Sequence, residues 1–375
     1  MCVYDECEEH THGSSVCADT HNTERETVSV FFDSIDSTCF TVAAGMIAAG
    51  SESALVHFPS KPPYKMVNNY LLGAVLGEGS QGKVREALHA VTLRRVAIKR
   101  LKLQQLRKLR NAEASLRREL AIHRRLKHKH VVELIEYFLV EEKLKVYVVL
   151  EHVWGGSLQD VLDGAPGGFL PVGMARRLMR QLFVGLDYVH SQGVVHRDVK
   201  PANLLVTADG IVKLADFGSA EELHRYEASD ACCKSKGSPA FQAPEVAAGH
   251  VTFSGFKVDV WAAGVTLFLL MSGHTPFEGS SLMHLFENIA KGEFEIPPRL
   301  RGDGLLVMLL GALLALDQNA RLSVRDALSH PWLAPHHEDE AWTERERALV
   351  TSVARAQFDL LRRGAEEITS RNERT

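Results

Sequence analysis

His196-Arg197-Asp198-Val199-Lys200-Pro201-Ala202-Asn203 decides the reading of this 375-residue chain. An aspartate is followed by a lysine two residues later and an asparagine five residues later. Asp198 can accept or orient the proton of a substrate hydroxyl. Lys200 can neutralise charge on a migrating phosphoryl group. Asn203 can offer its amide oxygen to Mg²⁺. A strand pattern follows, and then Asp216-Phe217-Gly218, whose carboxylate suits a second metal position bridging phosphates. Phosphoryl transfer needs little covalent help from a protein, so positioning and charge neutralisation make up most of the chemistry.

Upstream, Gly77-Glu78-Gly79-Ser80-Gln81-Gly82-Lys83-Val84, preceded by Leu76, reads G-x-G-x-x-G-x-V. Alone, such a run is also a plain hairpin turn. Here it joins two strand patterns, Tyr70–Leu76 and the alternation after Gly82, whereas a dinucleotide fingerprint would open a helix. Glycines let backbone N–H groups approach phosphate oxygens closely. The next strand pattern, Arg95–Leu101, contains Val96-Ala97-Ile98-Lys99. Ala97 there is a candidate nucleotide-binding residue, and Lys99 is a single inward charge suited to the α- and β-phosphates. Lys99 needs a counter-charge. Glu119, in a helical pattern carried by Leu116, Leu120 and Leu126, is the first choice and Glu113 the rival, with a strand expected to begin at Val131.

Ala243-Pro244-Glu245 follows about thirty residues after the aspartate–phenylalanine–glycine run. Glu245 is expected to be buried with Arg321 as its cation, and Asp259 to cap the backbone around Asp198. Lys145–Glu151 is a further β-rich run. Beyond it the pattern is helical: Ala175–Ser191, Val258–Ser272, Leu282–Lys291, Gly304–Leu316 and Ser323–Ser329. The order predicts an α+β chain with a small β-rich lobe followed by a larger helical lobe. The tail from Glu338 to about Ile368 reads as a charged amphipathic helix, with Ala348, Leu349, Val353, Phe358 and Leu361 apolar, able to pack on the domain.

A formal net charge of -4 gives no argument for a nucleic-acid partner. Charge is uneven: Arg94–His130 is strongly basic, while the first 60 residues are acidic with Arg25 as their one Lys or Arg. Residues 1–66 are rich in Thr, Ser, His and acids, with little periodicity, and are expected to be a disordered tail. Cys2, Cys7, Cys17 and Cys39 there are interleaved with His10, His12 and His21 but form no close cysteine pair, so the expectation is a tail without zinc. Cys232 and Cys233 are adjacent and expected to be reduced. No run of about 18 apolar residues is seen and the first ten residues lack signal-peptide order, so neither a membrane span nor secretion is expected; the expected location is cytoplasmic, with a nuclear share.

With these motifs in place, residues from about Tyr70 to Leu333 resemble the eukaryotic protein kinase family, which divides the chain into a tail (1–66), a kinase domain (67–333) and a C-terminal flanking tail (334–375). Gly77–Val84 as GEGSQGKV, Gly237-Ser238-Pro239-Ala240-Phe241-Gln242, Phe253-Ser254-Gly255-Phe256-Lys257-Val258-Asp259 and Leu285-Phe286-Glu287-Asn288-Ile289 further resemble the LKB-type tumour-suppressor kinases. The resemblance implies ATP and Mg²⁺ as cofactors. It implies adenine contacts through the backbones of Glu151 and Val153, Leu150 as gatekeeper, and a serine/threonine rather than tyrosine enzyme from Lys200. It also implies protein substrates, namely activation loops of AMP-activated-kinase-like enzymes, and partners of two kinds: a STRAD-type pseudokinase and an armadillo-like scaffold.

Two departures carry expectations. Arg197 and Phe217 follow the general kinase pattern where LKB-type members have lysine and leucine. Arg197 can therefore pair with a phosphate on Ser229, Ser235 or Ser238, although Ser238 is expected to shape the substrate loop. His123, or Ile122 if the register is shifted by one, takes an aliphatic place in the hydrophobic spine. A calcium/calmodulin-kinase-like enzyme acting alone is the alternative; Glu338–Thr375 interleaves acids with its arginines, which does not suit a calmodulin-binding helix. A pseudokinase is disfavoured because Lys99, Asp198 and Asp216 are all present.

Overall fold

In the computed structural model, which describes residues 65–79, 82–103, 112–223, 230–232, 237–334 and 342–353, the first lobe is a six-stranded antiparallel sheet. Its strands are β1 (Lys65–Val67), β2 (Tyr70–Gly79), β3 (Gly82–His89), β4 (Arg95–Lys102), β5 (Leu134–Val140) and β6 (Lys145–Glu151), in the order β1-β2-β3-β4-β6-β5. Successive side chains alternate between faces, so β4 and β6 feed two apolar clusters. Val96, Ile98, Tyr147 and Val149 pack on the outer face with Tyr70 and Phe138. Leu101, Val146 and Val148 pack on the inner face against Leu116 and Leu120 of helix α1 (Ala112–Arg125). Gly82 has φ +145, and a Cβ there would lie 2.2 Å from the Arg100 carbonyl oxygen; only glycine lets β3 run this close to β4.

The second lobe is helical. Helix α2 (Leu158–Asp163) starts at a Ser157–Asp160 capping box. Helix α3 (Val172–Ser191) buries Met174, Ala175, Leu178, Leu182, Leu186 and Val189 in one stripe. It begins three residues before the expected Ala175, because Pro171 sets up the entry and its carbonyl accepts from Ala175 N. Short strands β7 (Val194–Val195), β8 (Leu204–Val206), β9 (Val212–Leu214) and β10 (Glu221–Glu222) follow, then β11 (Ala231–Cys232), α4 (Pro244–Ala247) and β12 (Phe253–Ser254). Helix α5 (Gly255–Ser272) is capped by Ser254, whose hydroxyl accepts from Lys257 N, and is stopped by left-handed Gly273. It is apolar around most of its circumference and buried almost throughout. By length and composition alone α5 could cross a membrane, which corrects the expectation that no such run exists, but 83% of it lies inside the protein as a core helix.

Helices α6 (Leu282–Lys291), α7 (Gly304–Leu313) and α8 (Val324–Ser329) complete the lobe. The predicted bounds of α6 hold. Helix α7 ends three residues before the predicted Leu316, because Leu314 leaves helical geometry at φ -101, ψ 31. Helix α8 starts after Ser323, which serves as its N-cap. The strand expected from Val131 begins only at Leu134, since Val131 makes an isolated parallel bridge to Leu214 and the neighbouring Val132 N–H donates to the Leu214 carbonyl at 2.9 Å. Those hydrogen bonds tie the segment after α1 to the helical lobe.

Residues 344–353 are helical and pack on this lobe as the amphipathic pattern predicted. Val350 and Val353 join its core, and Arg177 pairs with Glu346 at 2.6 Å. The expected tail up to residue 64, with its cysteines and histidines, lies outside the described residues, as do Ser229, Cys233, Ser235, Phe358 and Leu361.

Candidate active site

The two lobes enclose a cleft of about 510 Å³. Its upper wall comes from Leu76, Gly77, Gly82, Val84 and Ala97, its back from Lys99 and Glu119, its rear from Glu151 at the end of β6 and Val153 just beyond it, and its floor from Asp198, Lys200 and Asp216. The strands place these side chains directly: Val84 and Lys99 are cross-strand neighbours, and Ala97 and Lys99 share one face of β4. Glu78 and Lys83 do not line the cleft; they pair with each other across the hairpin at 2.7 Å. Ser80 and Gln81 lie outside the described residues.

Asp198 sits at the centre of a tight network. Its Oδ2 accepts from Lys200 Nζ and from Asn203 Nδ2, both at 2.8 Å. Its Oδ1 accepts from the Ser238 N–H and hydroxyl, both at 3.0 Å. Lys200 also donates to Ser238 Oγ at 2.6 Å. Ser238 thus belongs to the carboxylate's surroundings, consistent with the expected role in shaping the substrate loop. The approach is allowed by Gly237: at φ +101, a Cβ would lie 2.3 Å from the Arg197 carbonyl oxygen.

Across the cleft, Lys99 Nζ lies 3.0 Å from Asp216 Oδ1 and 3.7 Å from Glu119 Oε1. The predicted Lys99–Glu119 pair is present, with Asp216 as the nearer partner. Burial disfavours the Lys99 charge, but Glu119 and Asp216 outweigh it and raise its pKa. Burial likewise opposes charge on Asp216, and the Lys99 ammonium overcomes it and holds the carboxyl below its usual range. Asp216 has φ +61, an uncommon backbone for a non-glycine residue, found repeatedly where a functional side chain must be aimed. Replacing Lys99 by methionine removes the charge that both acids share. Lys99→Met is expected to weaken nucleotide binding and to lower turnover at saturating nucleotide by at least about 100-fold, a size typical of one electrostatic donor; steady-state kinetics together with a nucleotide titration check it.

The backbone beneath Asp198 is held by Asp259, as expected. This carboxylate accepts from the N–H groups of His196 at 2.8 Å and Arg197 at 2.7 Å, and from His190 Nε2 at 2.8 Å. Complete burial pushes the Asp259 pKa up, but the His190 and His196 contacts outweigh it and the net shift is downward. An unfolded aspartate titrates near ~3.9. Because the folded value is lower, the stabilisation is full above that pH and is lost as pH falls through the folded value. The wild-type chain should therefore lose stability below about pH 4 more steeply than Asp259→Asn, read as urea midpoints across that range.

His123, Phe217 and His196 are in ring contact between the lobes: Phe217 lies 4.8 Å from the His123 ring, tilted, and 5.0 Å from the His196 ring, edge to face. His123, and not Ile122, therefore takes the spine position; Ile122 lies in the core cluster of the helical lobe. His123 Nε2 donates to the Val132 carbonyl at 2.7 Å, and burial drives its pKa down to about 4. It acts as a neutral packing residue at physiological pH.

Arg197 donates to the Ser219 carbonyl at 2.7 Å and pairs with Glu221. Its guanidinium is thus engaged by a carboxylate within the chain, where the sequence pointed to an activation-loop phosphate. The cleft residues that sequence reasoning passed over include Leu205, Ala215 and Asp160. The alternation in β8 after Asn203 marks Leu205 as inward-facing and could have found it; nothing local marks Asp160, which the α2 capping box places there.

Residues 70–333 match the family model described as protein kinase domain. The chain belongs to the protein kinase family. Among curated proteins this kinase is 46% identical over 285 residues to the serine/threonine-protein kinase STK11 of Homo sapiens, covering 76% of this chain and 65% of that protein. It is 44% identical over 268 residues to the stk11 homolog of Dictyostelium discoideum, covering 72% and 45%. It is 41% identical over 278 residues to the serine/threonine-protein kinase par-4 of Caenorhabditis elegans, covering 74% and 45%. The kinase spans 64% of the length of the rat and mouse STK11 proteins. Protein kinases in general use ATP and Mg²⁺.

Proposed function

We propose that this kinase transfers the γ-phosphoryl group of Mg·ATP to serine or threonine of protein substrates, as an upstream kinase acting on activation loops of AMP-activated-kinase-like enzymes. The observation that carries the reading is the placement of Asp198, fixed by Lys200, Asn203 and Ser238 and facing the same cleft as Lys99 and Asp216. The similarity to STK11 supports an LKB-type serine/threonine kinase over the calcium/calmodulin-kinase-like serine/threonine alternative.

The donor set fits a magnesium site. Asn203 commits its amide nitrogen to Asp198, to the carbonyl at 2.8 Å and to the carboxylate, which leaves Oδ1 as its ligand atom. The Ala215 N–H donates to the Asn203 carbonyl at 2.9 Å, holding Asp216 beside Asn203. Carboxylate and amide oxygens are the hard donors Mg²⁺ takes, and the metal would supply charge neutralisation between phosphates. In this reading Asp198 receives or orients the hydroxyl proton, and Lys200 places a positive charge beside the migrating group. Lys99, held by Glu119, steers the α- and β-phosphates, while the glycine-rich hairpin, with its described members Leu76–Gly79 and Gly82–Val84, covers the nucleotide. Glu151 and Val153 meet adenine through their backbones; the Glu151 N–H already donates to the Glu133 carbonyl at 3.0 Å, so its contact runs through the carbonyl. A pseudokinase and an armadillo-like scaffold are the proposed activating partners.

The test is phosphate transfer from Mg·ATP by the purified full chain to an activation-loop peptide carrying threonine, beside the same peptide with tyrosine in its place, with and without the two partners. Transfer to threonine alone, raised by the partners, is the expected result. Transfer to neither peptide under any condition rejects the substrate reading, and strong transfer by the isolated chain with no gain from partners rejects the dependence on them.

A further inference from the structure

The outer face of the first sheet carries a concentration of positive charge that the phosphoryl-transfer site does not use. Arg100 and Tyr147 are cross-strand partners, as are Lys102 and Lys145, so all four project from the same face. Lys65 on β1 and Lys143, in the turn before β6, complete a group of five cations around Lys145. Loss of hydration and then the charges of Arg100, Lys65, Lys143 and Lys102 lower the Lys145 pKa. Among the described residues none of these five forms an ion pair, although Glu141 and Glu142 stand in the adjoining turn and Lys83 nearby is paired with Glu78.

Beneath the cations are two polar groups without partners. The Tyr147 side chain is 1% exposed and its ring stacks on Phe138 at 5.4 Å. Its hydroxyl has no hydrogen-bond partner, and neither does Nε of Arg100. An unsatisfied buried donor is costly, and the five like charges repel one another. An acidic segment settled on the face offsets that repulsion.

We propose that this face is a docking surface for an extended acidic peptide segment of a partner protein, held by Arg100, Lys102 and Lys145. Arg100 and Lys102 lie two residues apart on one strand, a separation of roughly 6.6 Å. That is the repeat of alternate side chains in an extended peptide, so glutamates or aspartates at every second position meet the cations in turn. A nucleic-acid strand would need exposed aromatic platforms, whereas Tyr70, Phe138 and Tyr147 are all buried. A membrane surface would need several exposed apolar side chains beside the charges, and the exposed one on β1 is Met66.

The test uses the full chain and a fluorescein-labelled dodecapeptide of alternating glutamate and serine, followed by anisotropy at low and at physiological salt. Vesicles of phosphatidylcholine with phosphatidylserine are run in parallel. Wild-type chain is expected to bind the peptide, more weakly as salt rises. The double variant Lys102→Glu/Lys145→Glu is expected to bind about tenfold or more weakly while keeping the wild-type rate of phosphate transfer. Absence of wild-type binding, equal binding by the charge-reversed variant, or binding of vesicles in preference to the peptide overturns the proposal.

Discussion

Asp198→Ala is expected to abolish phosphate transfer while leaving nucleotide affinity close to that of the wild type. The carboxylate is the meeting point of four donors, from Lys200, Asn203, and the Ser238 N–H and hydroxyl. Removing it deletes the group that faces the substrate hydroxyl and releases Lys200 and the Asn203 amide from their fixed positions. Loss of a positioned base alone accounts for about 10²–10⁴ in rate, and loss of alignment among its partners adds to it. Nucleotide binding rests on other residues, the glycine-rich hairpin, Lys99 and the strand at Glu151, none of which contacts the deleted group. Turnover and nucleotide affinity measured on one preparation separate the two effects. Asp198→Asn keeps the volume and part of the network, and should be nearly as inactive. A near-normal kcat in either variant would remove Asp198 from the chemistry.

The second large effect is on stability. Arg321 is fully buried beside Glu245, in a bidentate pair with distances of 2.7 Å and 2.9 Å. Its Nε donates to the Ala315 carbonyl at 3.0 Å, and its guanidinium lies 5.0 Å from the centre of the Trp261 ring. Arg321→Ala leaves the Glu245 carboxylate buried without its cation, a loss of about 3–5 kcal/mol. At roughly 2–4 °C per kcal/mol for a domain of this size, the melting temperature should fall by about 10 °C. The double change Arg321→Met/Glu245→Leu removes both charges and should recover much of the loss, because the penalty belongs to the isolated charge more than to the missing attraction. Thermal melts of both variants against wild type decide it; a single variant melting with the wild type would show that Glu245 reaches another cation or water.

Much of this fold could be read before any coordinates. Regular periodicity located β6 and α6 to the residue, whereas α5 begins at Gly255, three residues before the expected Val258, because Ser254 caps it there. Two of the errors fall where a tertiary contact overrode local preference. Val131 has strand chemistry, but its partner is Leu214 of the other lobe, so β5 begins later. Helix α5 has the composition of a membrane span and is instead the core around which the other helices pack. Its apolar surface is satisfied equally well by protein, and composition cannot tell which solvent a helix meets.

The same division runs through the active site. Sequence by itself determined the cast: the two aspartates, the two lysines, Asn203 and the glycines, because each needs a particular functional group or a particular backbone freedom at a set spacing along the chain. It also singled out Glu119, and Arg321 for Glu245, since a buried charge requires an opposite one. Only the tertiary structure decided how these charges are shared. Lys99 lies nearer to Asp216 than to Glu119, Arg197 turns to Glu221, and Glu78 and Lys83 turn to each other. Electrostatic attraction depends on distance and on surrounding water, and both are set by how strands and helices far apart in the chain come together.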